Sequence, residues 1–369
     1  MKVFILTLGT RGDVEAFLLL GCELRRRGHR VLIGASSFYS KQILSSQLEW
    51  LQIGYGSAEQ MQAVLRAISA LDDPKRRTEA FIQRWVAPQL KESVRTIQLY
   101  AVNADYFISN LKMYIPRNGQ VVPGAFVTYD VPETLDDLAK HDSQRHGGRI
   151  IELVAMNKRL IDARNIWNPA CQFTGFWLDS HPAAWVPSDA ILQFLSRGLP
   201  PVVITLGSMA TLEATGLADA VIEALRVAGQ RGIILGNLAG TKRGAAVNDT
   251  LFFDGDVPYH WLFPQACAVV HHGGVGTVAA ALAAGLPSVI LPQISAQQFL
   301  ARVLFDAGLA TGVFDTKPLD ETKLAAAIES AAAEIKYQTI AKSWQAEIAH
   351  DRGVAAAGDL IEAHWRRLQ

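Results

Sequence analysis

Cysteine is scarce in this chain of 369 residues: Cys22, Cys171 and Cys267 stand far apart and form no CxxC pair. That excludes a disulfide framework and a cysteine zinc site, and it fits a reducing compartment. Net charge is missing too, with 35 Lys and Arg against 35 Asp and Glu and neither a basic tract nor an acidic tail. Nucleic acid and anionic membrane are therefore poor partners. Only 19% of residues are charged while 50% are hydrophobic, which supplies a sizeable core and excludes disorder. At ~150 residues per domain, the length implies one very large domain or two ordinary ones.

Val257 to Ala301 contains no Asp, Glu, Lys or Arg, enough apolar chain to span a bilayer. It also carries His271-His272-Gly273-Gly274 and prolines at Pro258, Pro264 and Pro287, punctuation that a membrane span would not hold. The stretch reads as buried strands and a helix around a ligand site. The apolar run Val3–Leu8 is too short for a signal-peptide core and leads into glycine. A cytoplasmic protein without a transmembrane segment is expected.

Strand-like and helix-like runs alternate, the pattern of an α/β fold with parallel sheets. Val3–Leu8 reads as a strand, Gly-Thr-Arg-Gly-Asp as a loop, and Val14–Arg27 as a helix with Val14, Phe17, Leu18, Leu20 and Leu24 on its apolar face. After Pro200-Pro201 the pattern restarts. Val202–Leu206 followed by Gly207-Ser208 looks like Phe4–Leu8 followed by Gly9-Thr10, which suggests two Rossmann-like halves. The domains expected are 1–176, a linker at 177–199, 200–340, and a helical segment 341–369 that crosses back to the first half. Lys75-Arg76-Arg77 reads as a solvated helix face.

The strongest chemical signal is Ala268–Thr277, a strand ending in His271-His272 and a glycine turn that opens an alanine-rich helix. Glycines there expose backbone N–H donors at the positive end of the helix, and the imidazole of His272 and hydroxyl of Thr277 add more, as a diphosphate needs. A second signal is Asp13. A carboxylate in a glycine loop at a strand end can serve as a general base, yet an aspartate before Val14-Glu15 is equally a good helix N-cap. Spacing leaves both open. His29, at the far end of that helix, reads as structural.

The segment VVHHGGVGTVAAALAAGLPSVILP resembles the nucleotide-sugar signature of GT-B glycosyltransferases related to sterol glucosyltransferases and to antibiotic and macrolide glycosyltransferases. The resemblance extends to LGTRGDVEAFLLLGCELRRRGHRV, to FTGFW with AWVPSDAILQFLSRGLPPVVITLGSM, and to VPYHWLFPQACAVVHHGG, and it is poor over 57–170. It implies two Rossmann-like domains whose parallel sheets face across a cleft, with acceptor binding in the first and nucleotide-sugar binding in the second. It assigns Asp13 as general base. Donor contacts would come from Gly207, Ser208, the backbone of Val257, His272, Gly274, Val275, Gly276, Thr277, Gln293 and Gln297, and acceptor contacts from Thr10 and Arg11. No metal or cofactor is expected, since the donor is a co-substrate. The pattern departs at two places. Asp256 stands where plant relatives stack a tryptophan on uracil, with Trp261 nearby read as packing. Ala296 replaces the acid that usually grips sugar hydroxyls, which suits a deoxysugar donor, or plain UDP-glucose if Ser295 or Gln298 substitutes.

The function expected is inverting, metal-independent transfer of a sugar from a UDP- or dTDP-sugar to a hydroxyl of a small, largely apolar acceptor of natural-product, sterol or lipid type. A nucleotide-sugar epimerase on the same scaffold and a non-catalytic nucleotide-sugar-binding partner are the alternatives. Acceptor and oligomeric state are not legible.

Overall fold

The computed structural model describes residues 1–128, 147–162, 169–179, 182, 184–207, 217–236, 245–255, 257–316 and 319–369. Ser208 and Asp256 lie outside the described residues. The chain forms two compact units, Met1–Val64 with Glu79–Leu178 and Asp351–Gln369, and Leu65–Thr78 with Asp179–His350.

The first unit is built on strands β1 (Lys2–Leu6), β2 (Arg30–Ala35), β3 (Glu49–Gln52) and β4 (Tyr106–Ser109), a small hairpin of β5 (Pro116–Arg117) and β6 (Gln120–Val121), then β7 (Gly124–Thr128), β8 (Ile150–Val154) and β9 (Gln172–Phe173). Its main sheet runs β3-β2-β1-β4-β7-β8-β9, parallel throughout. Continuous apolar strands are what a sheet covered on both faces requires. Val3 and Ile5 join Val14, Phe17 and Leu24 of the Arg11–Arg26 helix on one face. Phe4 turns the other way, 5.6 Å in ring-centroid distance from Phe107. Full burial of each such side chain contributes about 1.5–3 kcal/mol.

The last residues return to this unit. Asp351 accepts hydrogen bonds from the Phe176 backbone and Asn157, and Arg27 and His29 bind Asp359 and Glu362 on the Val354–Arg367 helix. His29 is thus a structural tie. The preceding helix, Ile335–Ile348, stays with the second unit, where Gln345 bonds the carbonyl of Ala283 at 2.8 Å.

The second unit contains β10 (Val202–Thr205), β11 (Gly232–Leu235), β12 (Ala245–Asn248), β13 (Leu251–Asp254), β14 (Ala268–His271), β15 (Ser288–Ile290) and β16 (Ala310–Val313). Its order is β12-β13-β11-β10-β14-β15-β16, with only β12 antiparallel. Val202, Ile204 and Val270 face one apolar cluster, and Val203, Ile233 and Val269 face another. Ile191 and Phe194 of the helix Asp189–Ser196 belong to the second cluster, so the stretch read as linker carries a packed helix.

In both sheets the chain leaves the first strand in one direction and later returns on its other side. That makes β1/β4 and β10/β14 topological switch points, where the outgoing loops splay apart and open a crevice at the carboxyl ends of the strands.

Candidate active site

Gly207 follows β10 and His272 follows β14, so both lie at the second unit's switch point. Gly207 has φ 70°, and a Cβ built on it would stand 2.6 Å from Cε1 of His272. On Gly274 it would stand 2.4 Å from Nε2 of the same ring. The imidazole therefore fits only because both positions are glycine. Burial depresses the His272 pKa to about 4, against the opposing pull of the Thr205 backbone, so the ring is neutral near pH 7. Its Nδ1 is buried with no hydrogen-bond partner.

His271 plays a different part. It is fully buried, and its Nδ1 accepts a hydrogen bond from the N–H of Gly273 at 3.0 Å, which fixes the turn where Gly273 adopts φ 86°. Burial first, and His272 second, lower its pKa to about 3.

The turn opens the helix Val275–Ala283, whose N-cap Gly274 offers no side chain to its first-turn N–H groups. Gly276 is exposed, with open space where a Cβ would be, and Thr277 is buried in the same turn. Orphan donors at the positive end of a helix attract an anion. Among the described residues, no group of three or more His, Cys, Asp or Glu could hold a metal ion.

Gln293 and Gln297 come to the same edge, but their side chains largely build their own loop. Gln297 Oε1 accepts from the backbone N–H groups of Gln293 at 2.7 Å and Ile294 at 3.3 Å, capping the helix Ser295–Asp306. Gln293 Nε2 donates to the carbonyl of Leu291. Ala296 is partly exposed beside them. Val257 buries its side chain among Leu262 and Phe263, and Trp261 packs on Trp185 with ring centroids 4.8 Å apart.

The expectation of a solvated basic face holds for Lys75 and Arg76, which are exposed, and fails for Arg77. Arg77 is not on a solvated face: it is 4% exposed, and Nη1 donates to the carbonyl of Gln293 at 3.2 Å. The next residue, Thr78, accepts a bond from the N–H of Ser295 at 3.4 Å. A triplet of basic residues carries no sign of which member a distant loop will cover.

The first unit has an equivalent corner. Its helix begins at Arg11 with Thr10 as N-cap, one turn earlier than the apolar spacing suggested, so Asp13 is the third helical residue and not the cap itself. Asp13 Oδ2 accepts from the Thr10 N–H at 2.6 Å and hydroxyl at 3.0 Å. A side chain on Gly9 would collide with that oxygen, at 2.2 Å. Oδ1 faces Asn110 Nδ2 at 3.5 Å, from the loop after β4 across the switch point. Tyr39 lies close enough that its hydroxyl is pushed above the ordinary phenol range, by burial first and by the charge of Asp13 second. Sequence reading missed Asn110 and Tyr39; a polar residue just past an apolar strand was the one signal for the former. Arg11 pairs with Glu15 at 2.6 Å on the surface.

Comparison with known proteins agrees along the chain. Residues 3–106 match the model of the glycosyltransferase family 28 N-terminal domain, and 233–357 match that of the erythromycin biosynthesis protein CIII-like C-terminal domain. A sterol 3-beta-glucosyltransferase of Arabidopsis thaliana is 25% identical over 99% of this chain and 68% of its own length. An O-mycaminosyltylonolide 6-deoxyallosyltransferase of Streptomyces fradiae is 25% identical over 98% of this chain and 97% of its own. The crystal structure of glycosyltransferase VinC in complex with dTDP superposes with TM-score 0.66 at 16% identity, covering 100% of both chains. No helix among the described residues is long and apolar enough to cross a membrane. Similarity that runs from end to end, over two sheets each opened at a switch point, makes this chain a glycosyltransferase of the GT-B fold.

Proposed function

We propose that the protein is an inverting, metal-independent glycosyltransferase that moves a sugar from a UDP- or dTDP-sugar to a hydroxyl of a small, largely apolar acceptor. The observation that carries this reading is the uncapped N-terminus of the Val275–Ala283 helix, set at a switch point beside Gly207 and His272. Its N–H groups receive the diphosphate, with His272 and Thr277 as further donors. Charge that develops on the leaving diphosphate is met by fixed dipoles, which cost no reorganisation during the reaction. Gly274, Val275 and Gly276 supply backbone, and the loop at Val257 supplies main-chain groups for the base. Gln293 and Gln297 shape the sugar end.

Asp13 is the general base. Its Oδ2 accepts from the Thr10 N–H and hydroxyl, and Oδ1, beside Asn110 Nδ2, takes the acceptor proton. In one displacement the acceptor oxygen bonds to the anomeric carbon, its proton passes to Asp13, and the bond from that carbon to the diphosphate breaks. Configuration inverts because attack comes opposite the leaving group. Thr10 borders the acceptor. The acceptor class is supported by the names of the two relatives, a sterol glucosyltransferase and a deoxyallosyltransferase of O-mycaminosyltylonolide, and dTDP by the VinC complex.

The test is a panel of nucleotide-sugars and apolar alcohols followed by mass spectrometry and nucleoside diphosphate release, with and without excess chelator. Glycoside formation unaffected by chelator is expected. Sugar isomerisation without transfer, or activity restored only by a divalent ion, overturns the reading.

A further inference from the structure

Among the described residues, Arg77 is a buried cation without an ion partner. Nε donates to the carbonyl of Leu71 at 2.6 Å and Nη1 to that of Gln293 at 3.2 Å. Asp72, Asp73 and Asp315 act on it electrostatically, but all three are exposed, and among the described residues no carboxylate lies within ion-pair distance of it. Burial outweighs them and lowers its pKa. Carbonyls satisfy N–H groups but carry no full charge, and a buried guanidinium lacking a counter-ion is costly. Arginine does not escape by losing its proton. Among the described residues Nη2 has no hydrogen-bond partner, and it is not wholly sealed from solvent. That residual exposure is where an anion would reach it.

Its location narrows the choice. The Gln293 loop ends β15, the immediate neighbour of β14, whose end bears His272 and the glycine turn. The two loops touch, since a Cβ on Gly273 would stand 3.2 Å from the carbonyl oxygen of Gln297. Arg77 therefore flanks the loop one strand beyond the anion-binding helix end. The helix that follows this loop carries Ala296 in its first turn and so offers no carboxylate there to the guanidinium.

We propose that Arg77 recognises a carboxylate on the donor sugar, so that the donor is a nucleoside-diphosphate uronic acid. This rests on the donor-site reading above and names its substrate class. The missing acid at Ala296 also suits a deoxysugar, but a methyl group would leave the guanidinium unpaired, whereas a carboxylate completes it through charge-assisted bonds.

Calorimetric titration of the purified full chain with UDP and dTDP fixes the nucleotide. With that nucleotide as parent, the glucose, glucuronic acid and 6-deoxyhexose derivatives are then compared. The uronic acid is expected to bind ~10–100-fold more tightly than glucose, the range of one charge-assisted pair. Arg77→Gln closes that gap and weakens the parent nucleotide far less, while Arg77→Lys keeps part of it. A uronic acid bound no better than glucose, or a deoxyhexose preferred over both, overturns the proposal, and this wild-type comparison needs no variant to fold. Equal weakening of parent nucleotide and uronic acid by Arg77→Gln also overturns it, making Arg77 a diphosphate contact. If neither UDP nor dTDP binds, the donor-site reading itself is wrong.

Discussion

The imidazole of His272 lies across the α-carbon of Gly207, so close that a methyl group there would stand 2.6 Å from Cε1. Gly207 also holds φ 70°, where any other residue costs about 1–2 kcal/mol. Gly207→Ala should therefore displace the ring and weaken nucleotide binding about 10-fold or more, since one charge-bearing hydrogen bond is worth at least that. Titration with UDP and dTDP checks it. Unchanged affinity in a folded variant would remove His272 from the diphosphate site.

The paired histidines predict how the second unit responds to acid. Both are neutral in the fold, with pKa values lowered from the ordinary 6.5 to about 3 for His271 and about 4 for His272. The unfolded chain binds protons first, so their contribution is complete above pH ~6.5 and is lost as pH falls through the window down to those folded values. The slope is at most ~1.4 kcal/mol per pH unit for each ring. Thermal melts from pH 8 to 4 should show stability falling below pH ~6.5, and His272→Asn should flatten the fall. An identical pH profile in the variant would contradict the burial argument.

Asp13→Asn separates base from cap. The amide keeps an oxygen for the Thr10 N–H, so the helix start survives with a loss of about 0.5–2 kcal/mol at most. Transfer, however, should drop ~10²–10⁴-fold once the base is gone. Rates per folded molecule, corrected by calorimetry, decide the matter. If turnover is retained and only stability changes, Asp13 does no more than secure the Thr10 cap of its helix.

What the sequence made legible follows from where the physics is local. Unbroken apolar strands such as Val202–Thr205 can only be buried on both faces, and a glycine turn before an alanine-rich helix has one geometry, so the two sheets and the His272 loop could be read. Asp13 was ambiguous because its two roles ask for the same residue type, and Thr10 took the cap position one turn early. Arg77 was misread because its burial depends on Gln293, 216 residues away. Gln297 could be placed at the site, but only the fold shows its amide oxygen spent on two backbone N–H groups. Ser208 and Asp256 lie outside the described residues.

The C-terminal helix yields the last prediction. Tyr106 is fully buried, and its hydroxyl meets His364 Nδ1 at 2.6 Å and the carbonyl of Gly124 at 3.1 Å. His364 Nε2 faces the carbonyl of Gly148 at 2.8 Å and must donate to it, so a neutral ring offers Nδ1 as an acceptor, and the single Tyr106 proton is shared between Nδ1 and the more distant Gly124 carbonyl. Burial lowers the His364 pKa and outweighs the Gly148 carbonyl, which supports the neutral ring. Tyr106→Phe removes the donor and leaves Nδ1 enclosed without a partner, a loss of about 1–3 kcal/mol. Protonation would let Nδ1 donate instead, but with no hydroxyl to receive it the variant gains nothing from acid. Chemical denaturation at pH 7.5 and pH 5.5 is the measurement. The variant should be the less stable protein at both, with the first unit's transition moved to lower denaturant. If Tyr106→Phe matches the wild type at pH 7.5, the hydroxyl contributes no net bond to the attachment of residues 351–369, which then rests on the packing of Ala357 and Ile361 and on the contacts of Arg27, His29 and Asp351.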